Sequence, residues 1–270
     1  MNAAGTALIL AGSRGENDPL CAARNVSHKA LIPVCGVPMI ARVIGTLADS
    51  GRFSRILVAI ERPELLLALP GIARRVAARE VQIIEAANSP SRSVLAALDE
   101  VGDAWPLLVT TADHPLLTRE MIEYLFDEAG TDTDAVAGIV EEGVLSAAYP
   151  ESKRTYLRFS DVRFSGANLF LLRTGKSAGI VAFWRTVERN RKRPLRLMSA
   201  LGPVEVLRFA AGRLSLEAAL RRLGRQTGAT LGVVRLPFAE AAIDVDRLAD
   251  LDQVERILTS GLAGGPAGRK

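Results

Sequence analysis

Four stretches of this sequence carry residue types that can do chemistry. Leu8-Ile9-Leu10-Ala11-Gly12-Ser13-Arg14-Gly15 is an apolar run that empties into a small glycine-containing loop with an arginine. Glycine has no Cβ to block approach, so backbone N–H groups of such a loop can meet phosphate oxygens. Arg14 can add a two-pronged phosphate contact. Further on come Lys29, in Lys29-Ala30-Leu31-Ile32-Pro33-Val34-Cys35-Gly36-Val37-Pro38-Met39, and Asp113, in Thr111-Ala112-Asp113-His114-Pro115-Leu116-Leu117. Near the end stand Asp244 and Asp246, in Ile243-Asp244-Val245-Asp246. Each alone has a plainer reading. Asp113 can cap a helix starting near Thr118, either closing aspartate can cap the last helix, and Lys29 can be a solvated loop residue. Only their joint occurrence in this order lifts them above those readings.

The elements around them read as alternating strands and helices. Strand patterns cover Thr6 to Ala11, Arg55 to Ile60, Val81 to Glu85, Pro106 to Thr110 and Ala135 to Val140, with helical patterns between. Pro38 starts one such helix and Ser50-Gly51 stops it; others run from Ser93 to Glu100 and from Thr118 to about Ala129. This rhythm predicts a parallel sheet with crossover helices. From Glu141 to Arg163 the pattern loosens, then Leu169 to Leu172 reads as a strand. A helical segment runs through Trp184 towards Pro194, a late strand covers about Ala229 to Leu236, and a last helix covers Arg247 to Thr259. The glycine-rich tail from Gly261 to Lys270 reads as disordered.

Taken together, the opening loop, Lys29 with its downstream Leu-Ile-Pro, the Asp113-His114-Pro115 turn and the closing Asp244-Val245-Asp246-Arg247-Leu248-Ala249-Asp250-Leu251 resemble the NTP-dependent nucleotidyltransferases of the GT-A fold. The similarity is to the superfamily of the molybdenum cofactor guanylyl- and cytidylyltransferases, and it touches most of residues 5–120 and 240–260. The resemblance implies a three-layer α/β/α sandwich with a mostly parallel sheet, forming one domain over about residues 1–260. Its nucleotide-binding half would be about 1–140, its acceptor-binding and basic region about 141–240, and its closing strand and helix 241–260. It implies transfer of a nucleoside monophosphate from an NTP, with CTP and GTP favoured, to a small phosphorylated acceptor. Leu10, Ala11, Gly12, Ser13, Arg14, Gly15 and Lys29 would meet the triphosphate, and Asn88, Arg92 and Ser93 the base and ribose, although Ser91 or Ser93 can equally cap a helix. Gly166 and Asn168 would meet the acceptor. Asp113 would be the principal ligand of Mg²⁺ (or Mn²⁺) and Asp246 the second, with Asp244 the alternative because the register of the pair is ambiguous. The chemistry agrees: Mg²⁺ takes one or two carboxylates plus phosphate oxygens and water, and phosphoryl transfer asks for cations and positioning.

Departures matter too. Ser13 stands where a glycine is common, a longer loop from Glu16 to His28 replaces the Arg-Met-Gly-x-Asp-Lys run of the molybdenum enzymes, and Arg247-Leu248 replaces Thr-Pro. The missing run argues against a pterin acceptor, and Arg247-Leu248 loosens the register of the closing motif; a polyol, inositol or sugar phosphate suits the charge better. His114 and His28 offer weak acid–base candidates.

The net charge of +4 hides an asymmetry: 13 Lys or Arg face three acids from Arg173 to Arg225, a local balance of +10. The cluster at 183–196, with Phe183 and Trp184 among its arginines, reads as a solvated face, an acceptor-phosphate site, or a peripheral contact with an anionic membrane. No recognisable nucleic-acid module accompanies it. Apolar residues make up 49% and charged residues 24% of the 270, which excludes a disordered or fibrous chain. Cys21 and Cys35 lack metal-ligand spacing and read as free thiols in the reducing cytoplasm, and the membrane reading of 183–196 would put the protein at the inner membrane face. Oligomeric state is not legible. The rival functions are a GT-A glycosyltransferase using a nucleotide-sugar and a non-catalytic nucleotide-binding regulator.

Overall fold

Apolar strand runs that do not alternate require cover on both faces, and that requirement organises the molecule. In the computed structural model, which describes residues 5–13, 18–102, 104–188 and 200–261, Ala7, Leu8 and Ile9 are all fully buried although successive side chains point to opposite faces. Ten strands occur among the described residues: β1 (Gly5–Leu10), β2 (Pro33–Val34), β3 (Val37–Pro38), β4 (Phe53–Ile60), β5 (Val81–Glu85), β6 (Leu107–Thr111), β7 (Ala135–Glu141), β8 (Leu157–Arg158), β9 (Arg163–Leu172) and β10 (Leu231–Arg235). The main sheet runs β10-β7-β9-β6-β1-β4-β5, with β8 added to β9. All its neighbours are parallel except at β9, which is antiparallel to β6, β7 and β8.

One face packs Ala7, Ile9 and Val58 against the helix Met39–Asp49, through Met39, Ile40, Val43, Ile44 and Leu47. The other packs Leu8, Leu57 and Val109 against Val94, Ala97 and Val101 of the helix Pro90–Val101, and against Val181 of Ser177–Val187. The expected three-layer sandwich with a mostly parallel sheet is the fold.

The expected strands lie within two residues of their predicted bounds in the first half. Three expectations change. The loop from Glu16 to His28 contains a short helix, Pro19–Arg24, whose N-terminus Asp18 caps by accepting from Leu20 N–H at 2.8 Å. The stretch read as irregular holds the helix Glu142–Ala148 and strand β8. The strand expected from Leu169 begins at Arg163, because Asn168 takes a left-handed backbone (φ 49°) opposite a register irregularity between Ala137 and Ile139, and the strand passes through it. Polar residues at such a bulge break the alternation that reveals a strand. Most of the expected tail, residues 262–270, lies outside the described residues.

Candidate active site

In an open sheet of this kind, ligands bind where the parallel strands end. Asp113 lies just past β6, held beside the end of β1 by the Ala112 N–H donating to the Leu10 carbonyl at 3.0 Å. Val245 N–H then donates to the Asp113 carbonyl at 2.9 Å, bringing the closing segment to the same strand end. Lys29 opens a 3₁₀ turn, Lys29–Leu31, whose N-cap is His28. Its ammonium lies 2.6 Å from Asp113 Oδ2 and 2.8 Å from Asp246 Oδ1. Burial works against the charged lysine, but the two carboxylates outweigh it and hold its pKa above the ordinary value. The lysine is therefore a fixed cation between two acids from opposite ends of the chain.

Asp113 Oδ1, Thr110 Oγ1 and Thr111 Oγ1 are buried at the same strand end, each without a hydrogen-bond partner among the described residues. Orphaned acceptors of this kind ask for a cation or donor supplied from outside the chain. Among the described residues no group of three or more His, Cys, Asp or Glu could enclose a metal. Asp113 and Asp246 form a carboxylate pair at this end, the kind of set that Mg²⁺ takes together with phosphate oxygens and water.

The opening loop meets an anion already. Ser13 N–H donates to both oxygens of Glu61, at 3.0 and 3.3 Å. His28 completes the arrangement: its Nδ1 accepts from Ala30 N–H at 3.1 Å, which leaves the proton on Nε2, 3.1 Å from Glu61 Oε1. A Cβ added at Gly12 would meet nothing closer than 3.9 Å, and its backbone φ is not positive. Nothing in the chain itself demands glycine there. Leu10 is half-buried and Ala11 buried at the loop's root. Arg14 and Gly15 lie outside the described residues.

The two closing aspartates part company. Asp246 faces Lys29, whereas Asp244 is bonded to Arg154 and accepts from Asn168 Nδ2 at 3.2 Å. Burial, with Asp113 and Asp246 nearby, raises the pKa of Asp244 against the opposing charge of Arg154. His114 is fully buried, which pulls its imidazole down to about 4 despite the Asp113 charge, and neither ring nitrogen meets a side-chain partner. A neutral, enclosed imidazole does not suit the acid–base role considered for it.

Of the residues expected to contact base and ribose, Asn88 and Arg92 are exposed at the entrance to the helix Pro90–Val101. Ser93 is corrected: it is buried and its hydroxyl accepts from Ala87 N–H at 2.9 Å, so it shapes the loop from beneath. Neither it nor Ser91 caps the helix; Ser89 occupies the N-cap position. On the acceptor side Gly166 is exposed with open space around it, while Asn168 is committed to Asp244. The two aromatic residues of the 183–196 basic cluster have partners within the fold. Phe183 packs towards Leu201 and Leu214, and Trp184 lies on Phe170 with ring centroids 5.8 Å apart. Both are half-buried because the helix Ser177–Val187 must cover the sheet. Residues 189–199, which hold most of that basic cluster, lie outside the described residues. Among the described residues no helix is long and apolar enough to cross a membrane.

Residues 7–230 match the MobA-like NTP transferase domain. The chain belongs to this family. It is also similar to the solved structure of a hypothetical transferase from Thermus thermophilus, at 31% identity and a TM-score of 0.75, covering 92% of this chain and 99% of that one. Two more distant structures share the fold. They are 4-diphosphocytidyl-2C-methyl-D-erythritol synthase from Anaerococcus prevotii, at 11% identity, TM-score 0.54 and coverage of 94% and 97%, and a CMP:2-keto-3-deoxy-manno-octonic acid synthetase complexed with CTP, at 12% identity, TM-score 0.54 and coverage of 95% and 98%. No curated protein matches the chain.

As a MobA-like NTP transferase the protein is a nucleotidyltransferase, and its opening loop, Lys29 and Asp113 stand together at the strand ends. Sequence reading missed Glu61 and Arg154 and undervalued His28 and Asp250. Asp250 was within reach: its carboxylate accepts from the N–H of Asp246 and Arg247, at 3.2 and 2.9 Å, the pattern of an acidic residue in a helix's first turn. Glu61 and Arg154 carried no local signal, since each acts on a segment far away in sequence.

Proposed function

We propose that this MobA-like NTP transferase moves a nucleoside monophosphate from CTP or GTP to a small phosphorylated acceptor, a polyol, inositol or sugar phosphate, with Mg²⁺ as cofactor. An acceptor phosphate oxygen attacks the α-phosphorus; a new P–O–P link forms as the bond to the β-phosphate breaks, and pyrophosphate leaves. No proton need be moved, so the protein's task is to align two anions and neutralise their charge. The observation that carries this reading is the Lys29 ammonium between Asp113 and Asp246.

Asp113 and Asp246 would hold Mg²⁺, which when bound supplies positive charge to the phosphate oxygens. Lys29 presents a permanent cation to the triphosphate, and its raised pKa keeps it charged throughout the neutral range. The Ser13 N–H, which donates to the Glu61 carboxylate in the free chain, marks the loop as a place where a phosphate oxygen would be received. The excess of basic residues between Arg173 and Arg225 favours an acceptor that carries phosphate.

Thermal shifts with ATP, CTP, GTP, UTP and nucleotide-sugars, each with and without Mg²⁺, test the proposal, because a ligand that binds only the native state raises its stability. Stabilisation by one NTP with Mg²⁺, absent in Asp113→Ala, is expected. A response confined to nucleotide-sugars would overturn it.

A further inference from the structure

Arg154 lies outside every motif discussed so far, yet its side chain is only 8% exposed and bridges two carboxylates of the closing segment. Its guanidinium donates to the Asp244 carboxylate, to the Asp244 backbone carbonyl at 3.1 Å and to Asp250 Oδ1 at 3.2 Å, while Nε reaches Ser152 Oγ at 3.4 Å. The other Asp250 oxygen, Oδ2, accepts from the backbone N–H of Asp246. One planar cation thus ties together the residues on both sides of Asp246.

Two further contacts join the same pieces. Ser152 Oγ donates to Gln253 Oε1 at 3.4 Å, and an Arg247 guanidinium nitrogen donates to the Lys153 carbonyl at 3.4 Å. Asn168 adds a donor to Asp244 from its left-handed position in β9, a conformation that costs a non-glycine residue energy and persists only where its surroundings hold it. The segment before β8 and the bulge in β9 therefore converge on Asp244.

We infer that Arg154 is a positioning residue for metal binding: through Asp244 and Asp250 it sets where the Asp246 carboxylate stands relative to Asp113. Asp244 is then an anchor rather than a metal ligand. A lysine cannot replace Arg154, because a single ammonium lacks the rigid fork that spans two carboxylates. Outer-shell groups of this sort orient the ligands next to a metal, and their loss typically weakens metal affinity by about 10- to 100-fold.

The inference rests on the proposed assignment of Asp113 and Asp246, and the test separates the two. Mn²⁺ binding is followed by loss of its free electron-paramagnetic-resonance signal, with CTP and with GTP, in the full chain and in Arg154→Met and Arg154→Lys. Alongside it, the Mg²⁺ concentration for half-maximal rate is compared with kcat at saturating Mg²⁺. The wild-type chain is expected to bind Mn²⁺ with one of the nucleotides, and the variants about tenfold or more weaker. Excess Mg²⁺ should then restore most of kcat, which it would not do if Arg154 only kept the protein folded. Failure of the wild-type chain to bind Mn²⁺ overturns the metal assignment itself. Wild-type binding with unchanged affinity in Arg154→Lys, or in a cooperatively melting Arg154→Met, overturns the role of Arg154 alone. Should Arg154→Met not fold, Arg154→Lys decides.

Discussion

Val245 donates its backbone N–H to the carbonyl of Asp113, and this 2.9 Å bond places the closing segment against the end of the sheet's central strands. Its geometry brings Asp246 to the same lysine as Asp113. A reaction site assembled this way draws one carboxylate from a strand end and the other from just before the last helix.

Lys29 is the piece on which both carboxylates converge. Lys29→Met should slow turnover by about 10²–10³-fold, the loss typical of removing one preorganised charge from a transition state. Because its folded pKa is raised, the stability Lys29 contributes is fully present below the unfolded lysine value of about 10.4 and is lost only as pH rises through the folded value. The melting-temperature gap between wild type and Lys29→Met should therefore stay level through neutral pH and close under strong alkali. A gap that closes near neutrality would mean the lysine is not held as described.

Gly12 offers a cleaner separation of binding from folding. An added methyl group has 3.9 Å of clearance and no backbone strain to overcome, so Gly12→Ala should leave stability within about 0.5 kcal/mol of wild type. The same methyl group would fill the face that a triphosphate must approach. Calorimetric titration with CTP or GTP and Mg²⁺ should show affinity reduced by at least about tenfold, equivalent to ~1.4 kcal/mol. Unchanged affinity would place the phosphates elsewhere.

His114 makes an acid-stability prediction. Burial lowers its pKa from 6.5 to about 4, with Asp113 opposing and Arg154 assisting, so between those values the unfolded chain binds a proton that the folded chain refuses. Stability is complete above about 6.5 and falls as pH drops towards 4, by something of order 3 kcal/mol from this group. The raised carboxyl of Asp244 works the other way, since acidification relieves the cost of keeping it charged. His114→Met should flatten the acid limb seen in urea titrations while leaving the rate above neutrality intact. A pH-rate limb near neutrality that vanishes in His114→Met would instead make the imidazole part of the chemistry.

Gly179 tests the layer on the other face. A Cβ there would lie 2.1 Å from the Thr227 carbonyl oxygen, so the helix Ser177–Val187 approaches the end of Leu216–Thr227 more closely than any side chain allows. Gly179→Ala should cost about 1–3 kcal/mol, the range for forced overpacking, measured by urea unfolding. A stability equal to wild type would show that the two helices are free to separate.

Much of this site was legible in the sequence because its determinants are local. Apolar runs such as Thr6 to Ala11 and Pro106 to Thr110 can only be buried strands, and a strand that stops at Gly12 or before Asp113 must deliver that residue to the sheet's edge. Lys29 and Asp113 stood out through the motifs that carry the resemblance to the nucleotidyltransferases. The choice between Asp244 and Asp246 did not, because alternate residues of an extended stretch share a face and the sequence offers no further distinction. Tertiary structure is what gives the two carboxylates different surroundings, by bringing Arg154 and Asn168 to one and Lys29 to the other. Glu61 on the Ser13 N–H and Arg154 beneath the closing helix belong to the same class of facts: hydrogen bonds between segments remote in sequence depend on where folding puts them, and no local pattern encodes that.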